Sequence, residues 1–397
     1  MAHSERSGRR PSPERPPLWR DVRVLRVFVQ IGFLAVVGFV LLWLYGNLRT
    51  NMAGLGQRFG FDFLGLTAGF GIAESVVDYS PTDSYAYAFL IGVLNTLKII
   101  VVGILLASVL GLVAGVARLS SNWLVAKIAG AYIEIIRNTP LAVQLFFWYT
   151  AVFLKLPPVR ESMELFGSVF LSQRGLVLPA PIPTDGFALW GYALLMSLGI
   201  AIGLCLWRRA QLRRADRVGT PWLWGILTFI GLGLVTYLVL PAPVRWQIPE
   251  LGTFNFVGGT QLSPEYAALL AGLVAYTGAF IAEIVRGGIL SVSKGQTEAA
   301  RALGLRSLLV LRLVVLPQAL RVIIPPVTSQ YLNLAKNSSL AVVVGYADLF
   351  NVSQTILNQS GKEIEMILVI MASYLSISLL TSLFMNWYNR RVKLVEH

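Results

Sequence analysis

Charge is what this chain has least of. Only 13% of its 397 residues are Asp, Glu, Lys or Arg, while 55% are hydrophobic; a soluble domain carries roughly a quarter charged residues. That is too little polar surface to cover a globule of this length in water, and a mean hydropathy of +0.66 agrees. Histidine is nearly absent as well, with only His3 and His397 at the extreme ends. The single Cys205 excludes an internal disulfide. Neither a Cys/His metal centre nor a histidine-dependent triad can be assembled from such a set. A phosphate-cradling G-x-x-x-x-G-K-[ST] loop is missing too, so the chain alone is not expected to hydrolyse ATP.

What is abundant is apolar length. Crossing the hydrocarbon core takes about 20 mostly apolar residues, and eight stretches qualify: 27–46, 89–113, 131–156, 187–207, 222–241, 267–286, 323–346 and 364–386. The expectation is an all-α, polytopic integral membrane protein with about eight transmembrane helices. Asn138-Thr139-Pro140 interrupts the third stretch; proline removes a backbone hydrogen bond, so a kink or late start is expected there. The first stretch is long for a signal-peptide core and lacks a small-residue cleavage site, and it reads as a retained helix.

A net charge of +13 would suit a nucleic-acid partner, but its distribution points elsewhere. Of the 33 lysines and arginines, 23 fall in 1–26, 118–128, 208–217, 286–321 and 387–397, and six in 47–86, 155–186 and 242–266. Lys98, Arg137, Lys336 and Lys362 lie within spans or near their ends. The positive-inside rule makes the first group cytoplasmic, with both termini inside. The basic excess therefore marks topology, and no nucleic acid is expected. The Arg/Pro-rich tail from Ser4 to Pro17 reads as disordered. Outer segments carry turn formers, such as Asp78-Tyr79-Ser80-Pro81-Thr82-Asp83 and Pro179-Ala180-Pro181-Ile182-Pro183. The chain divides into a tail (1–26), a first helix with an extracytoplasmic segment (27–86), a first core part (87–156), an insertion with two further helices (157–262) and a second core part (263–390) containing a cytoplasmic loop (287–322).

In that loop Glu298-Ala299-Ala300 is followed, three residues later, by Gly304, and after nine more by Val314-Val315-Leu316-Pro317. Ser293 and Gln296 have capping-box spacing, with Glu298 expected in the first turn, where a carboxylate meets the positive end of the helix dipole. Gly304 can adopt the left-handed conformation that ends a helix. A short helix, a break and a second helix running into Pro317 are predicted, an outline that an ordinary helix-turn-helix connector would share.

The spacing resembles the cytoplasmic coupling loop of ABC-importer permeases, EAA-x3-G-x9-I-x-L-P, with Val314 at the isoleucine position. Gly92-Val93-Leu94-Asn95-Thr96-Leu97, the run Tyr132 to Leu145, Ala282-Glu283-Ile284-Val285-Arg286-Gly287-Gly288-Ile289 and Ala335-Lys336-Asn337-Ser338-Ser339-Leu340 resemble the polar amino-acid branch of that family, over roughly 85–156 and 263–390. The inserted 157–262, with Phe61-Asp62-Phe63-Leu64 and Ala68-Gly69-Phe70 before the core, is similar to Q-type (BztB-like) permeases of general L-amino-acid importers. The resemblance implies a type I (MetI-like) permease core in a bacterial inner membrane. Its implied partners are a second homologous permease, two cytoplasmic ABC ATPase subunits and a periplasmic amino-acid-binding protein. ATP and Mg would sit on the ATPases, with no cofactor in this chain. ATPase coupling would fall to Glu298, Ala299, Ala300, Gly304, Leu316 and Pro317.

Polar groups inside a bilayer are costly and mark paths or partners, which makes Glu283, Lys336, Asn95 and Gln144 candidates for a substrate path. Each has a plainer reading. Glu283 can pair with Arg286; Lys336, beside Asn333 and Asn337, can bond a helix carbonyl or Glu283; Asn95 and Gln144 can tie helices together; Lys98 can snorkel outward. The rival functions are an ion-coupled secondary transporter or channel, which would favour paired inverted repeats, and a membrane-embedded hydrolase. No second copy of the motif region is visible, and histidine is absent from the spans. The topology predicts that, with Cys205 replaced, cysteines at Ser4, Ala210 and Ser307 react with impermeant thiol reagent only from the cytoplasm, and those at Ser80 and Ser263 only from outside. Outside labelling at Ser307 would break the coupling-loop assignment.

Overall fold

The computed structural model describes residues 22–54, 59–215, 219–253 and 255–392; most of the tail, both histidines and Ser4 lie outside that set. The chain forms two units, one ending at Asp62 and one beginning at Phe63. The first contains α1 (Val22–Gly54), an apolar helix whose membrane-length part is Leu25–Asn51, overlapping the expected 27–46.

The second unit holds α2 (Tyr85–Arg118), α3 (Trp123–Arg137), α4 (Leu141–Phe147), α5 (Gly186–Arg214), α6 (Pro221–Val239), α7 (Pro264–Leu290), α8 (Lys294–Ala302), α9 (Ser307–Val310), α10 (Leu316–Asn337), α11 (Leu349–Ser360) and α12 (Glu363–Val392). Among the described residues seven helical stretches are long and apolar enough to cross a membrane. They match the expected spans except the third. There the chain breaks at Asn138-Thr139-Pro140, continuing through α4 into a π turn, Trp148–Val152, and a 3-10 turn, Phe153–Lys155. Pro140 has no N–H to give, and Gln144 answers the break: its Nε2 donates to Ile136 O at 2.8 Å and Thr139 O at 2.9 Å. A side chain thus satisfies carbonyls that a broken helix would leave bare in lipid.

Local sequence sets where the major helices begin. Ser84 Oγ accepts from Tyr87 N at 3.3 Å to cap α2, and Ser263 Oγ accepts from Tyr266 N at 3.1 Å ahead of Pro264 to cap α7. Asn122 caps α3 by accepting from Leu124 N at 3.0 Å. These are the residue types that best satisfy the orphan donors of a first turn.

The core is organised on the pairing of α2 with α7. Gly103, Ala107, Gly111 and Gly115 recur every fourth residue and are buried on one face of α2. A Cβ at Gly111 would lie 2.6 Å from Ile281 Cβ, and one at Gly115 would lie 2.6 Å from the Ala282 carbonyl oxygen. The helices therefore touch almost backbone to backbone, the packing that small residues permit in lipid. Gly103 neighbours Leu270, Gly111 neighbours Ile281 and Gly115 neighbours Val285, so α2 and α7 run parallel. A parallel pair needs an odd number of crossings between its members, and α3–α4 taken together, α5 and α6 supply three.

The segments flanking α5 and α6 are not plain loops. They form β1 (Met163–Leu165), β2 (Val169–Ser172), β3 (Gly175–Leu178), β4 (Ala180–Pro183), β5 (Val244–Gln247), β6 (Glu250–Leu251), β7 (Phe256–Val257) and β8 (Thr260–Leu262). All pairings are antiparallel: β1-β2-β3-β8 in one sheet, β4 with β5, and β6 with β7. The helical expectation holds for the spans, and these strands add to it. At two to four residues each they are too short to show periodicity, and their partners come from both sides of the α5–α6 hairpin. Gly115→Val should overpack the α2–α7 contact, costing about 1–3 kcal/mol. A lowered melting temperature for the purified protein, against an unchanged one for Gly199→Ala, whose Cβ meets nothing within 4 Å, would verify the seam.

Candidate functional site

Two regions carry the polar and uncovered surface that apolar packing does not explain. The first is the loop after α7. Ser291, Val292 and Ser293 alone separate α7 from α8, and one expectation is overturned here: the Ser293 hydroxyl makes no cap, while its carbonyl accepts from Gln296 N at 3.1 Å. Glu298 accordingly falls in the middle of α8, exposed, with no acidic residue in the first turn. The end of α8 is as expected. Gly304 has φ +77°, Leu305 N donates to Ala300 O at 3.2 Å and Gly304 N to Arg301 O at 2.9 Å. Those two bonds are the glycine-terminated stop known as the Schellman motif.

Ala300 is buried with Val310 and Val315, and Leu305 packs on them along with Ile289 from the end of α7 and Val292 from the link. This small core fastens α8 to both neighbouring helices. Ala299 is exposed, and Leu303 and Leu308 are 82% and 75% exposed, leaving an apolar patch around the Gly304 turn. Before α10 the backbone widens into a π turn, Leu311–Val315. Leu316 and Pro317 then open α10, and Pro317 stands in its first turn, where a missing N–H is tolerated.

The second region is the α7–α10 face. A cavity of about 230 Å³ is lined by Tyr276, Thr277 and Phe280 from α7 and by Gln330, Asn333 and Asn337 from α10. Ser329, Asn333 and Lys336 are exposed at helical spacing on α10. Among the described residues Lys336 has no ion-pair partner. Glu283 is instead held by Arg286, which donates through Nε at 2.9 Å and Nη2 at 2.6 Å. The Arg137 guanidinium sits 5.2 Å from the centre of the Phe280 ring. Gln330 and Thr277 were not singled out in the sequence, since a lone Gln or Thr in an apolar run gives no pattern.

Asn95 and Gln144 do not join that cavity. Asn95 is fully buried at the opposite end of α2, donating to Glu74 O at 2.8 Å and Ala347 O at 2.9 Å. Glu74 itself pairs with Lys98 and accepts from Ser263 N at 3.0 Å. Lys98 therefore turns inward to Glu74, its Nζ 4.3 Å from the Tyr266 ring centre, rather than snorkelling. Glu74 links the segment before α2, α2 itself and the start of α7, a role its sequence context gave no sign of. Nearby, between the last two spans, Asp348 is fully buried, caps α11 by accepting from Asn351 N at 2.8 Å, and accepts from Tyr374 OH at 3.2 Å.

With this geometry in view, the relatives can be read. Residues 99–394 match the family model described as the binding-protein-dependent transport system inner membrane component. The chain belongs to that family. It is 47% identical to the putative amino-acid ABC transporter permease protein YhdX of Escherichia coli, covering 93% of this chain and 94% of that one. It is 46% identical to the general L-amino acid transport system permease protein AapQ of Rhizobium johnstonii, covering 95% and 94%. A third relative is the glutamate/glutamine/aspartate/asparagine transport system permease protein BztB of Rhodobacter capsulatus, at 40% identity and 95% of both chains. A transport-system membrane component, with its apolar spans, is a multi-pass transport protein.

In this component burial dominates the Asp348 carboxyl and pushes its pKa up to about 7. A carboxyl that is easier to protonate folded than unfolded gives stability below the unfolded value near 4, and loses it as pH rises towards 7. Melting should thus fall between pH 5 and pH 8 in the wild type, and Asp348→Asn, which keeps an oxygen for Asn351 N, should flatten that slope. An equal slope in both proteins would assign the effect to another group.

Proposed function

We propose that this chain is a membrane-spanning permease subunit of an ATP-driven importer carrying L-amino acids from periplasm to cytoplasm. Substrate class comes from the relatives, whose names cite amino acids across nearly the whole length of the chain. The observation that carries the mechanism is the α8–Gly304 elbow, fixed to the end of α7 and to the π turn that leads into α10 by its own small core but leaving Leu303 and Leu308 uncovered. An ATPase surface docked over those leucines would push α7 and α10 together. Two such ATPases would bind ATP and Mg, and both termini would lie with them in the cytoplasm.

The polar face of α10 supports a second permease subunit. Ser329, Asn333 and Lys336 facing lipid would be costly, whereas facing a homologous subunit they would line a shared path. In that path Lys336 would meet the carboxylate of a zwitterionic amino acid. Both oxygens of Glu283 are already taken by Arg286, so the ammonium group is better served by the amide oxygens of Gln330, Asn333 and Asn337. Glu283 then sets the inner end of the path without reading the substrate.

The test is amino-acid uptake into liposomes containing this chain, the second permease and the ATPases, with binding protein outside. Uptake should require ATP on the ATPase side and survive collapse of ion gradients. Gly304→Asp should leave the subunit inserted, because the left-handed backbone costs it only about 1–2 kcal/mol and no atom lies within 4 Å of a Cβ there, yet recover far less ATPase on affinity purification. Lys336→Met should lower uptake at least tenfold at unchanged complex yield. Uptake that ignores ATP and collapses with an ionophore would establish the ion-coupled alternative.

A further inference from the structure

One side chain in the insertion is held where its own chemistry does not favour it. Phe166 has φ +54°, the left-handed region in which a bulky residue is an outlier, and it is 97% exposed. It sits at the tip of the β1–β2 hairpin, where Leu165 pairs with Val169 and the following Gly167 also has positive φ, +71°. An Asn or Gly would close this turn with less strain and without presenting a ring to water. Strain kept at an exposed tip is a mark of a functional contact. The tip is apolar beyond the ring, with Met163 and Leu165 49% and 39% exposed. It is also firmly mounted: β1 pairs with β2, β2 with β3, β3 with β8, and β8 runs directly into the capped start of α7.

We infer that this hairpin is the docking finger for the binding protein, with Phe166 as the aromatic anchor that enters a pocket on it. The inference rests on the importer reading above. The family is binding-protein-dependent, and the finger stands at the end of α7 opposite the α8 elbow, the side from which such a protein approaches. Two other occupants fit less well. Exposed Glu164 stands beside the tip and disfavours acidic lipid headgroups there, and the surface suited to a second permease is the polar face of α10. A single aromatic seated in a desolvated pocket characteristically dominates an interface of this kind, and mounting it on a rigid sheet lowers the ordering cost of docking.

The experiment measures ATPase activity of the full complex in nanodiscs against increasing amino-acid-loaded binding protein. Phe166→Asn removes the ring while retaining a residue that tolerates left-handed φ. Its half-maximal binding-protein concentration should rise at least tenfold, with complex yield and maximal rate unchanged; Phe166→Tyr should stay within about twofold of wild type. Superimposable wild-type and Phe166→Asn curves would overturn the inference. So would a fall in permease heterodimer yield, which would assign the ring to the other subunit. If the wild-type complex itself ignores the binding protein, the importer reading fails and the docking finger falls with it.

Discussion

Everything in the membrane core hangs on the close parallel contact of α2 and α7. In lipid no hydrophobic effect draws one apolar helix to another, so association depends on packing and on backbone approach. Gly111 and Gly115 supply that approach, with Ile281 and the Ala282 carbonyl occupying the space a side chain would need. Once these two helices are locked side by side, the rest is positioned around them. The Glu74 cluster ties their N-terminal ends, α3 and α4 pack along α7, and α10 packs on α7 to line the cavity with it.

Several charges in and beside the spans are paired locally. Glu74 takes Lys98, Glu283 takes Arg286, and Glu134 takes Arg118 at 3.1 Å. Lys336 stands out against this pattern, since the described residues offer it no carboxylate, and it belongs to a helix face already rich in amides. The elbow at α8 connects to that face through α10, whose interior Pro325 and Pro326 remove two helical hydrogen bonds midway. On the proposed coupling, a push at Leu316 would reach Lys336 through a helix weakened between them.

Legibility in the sequence followed how local the determinant was. The break at Pro140 and the turn at Gly304 were readable because one residue imposes each. The Ser293 cap failed although its spacing was right, because the Ser293 carbonyl and not its hydroxyl takes up the Gln296 N–H. Lys98 was misread for the opposite reason, since its partner Glu74 lies in an irregular segment with nothing to mark it as a ligand. The cavity was half visible. Asn333, Lys336 and Asn337 form a pattern on one helix, whereas Thr277 and Gln330 acquire meaning only once α7 faces α10. The strands were invisible because each is only two to four residues long, and two of their pairings, β3–β8 and β4–β5, join residues on either side of an inserted helical hairpin.

That pairing bears on how the chain can find its fold. Glu74 and Ser263 are 189 positions apart, and contacts so distant in sequence are slow to form. The β3–β8 ladder places Leu176 opposite Leu262, which closes the whole α5–α6 excursion into a side branch. Seen from the end of α4, the route to α7 is then short. If that ladder forms first, the loop entropy opposing the meeting of α2 with α7 falls, and the insertion would then serve as a clasp that lets the long chain close its seam as a shorter one would.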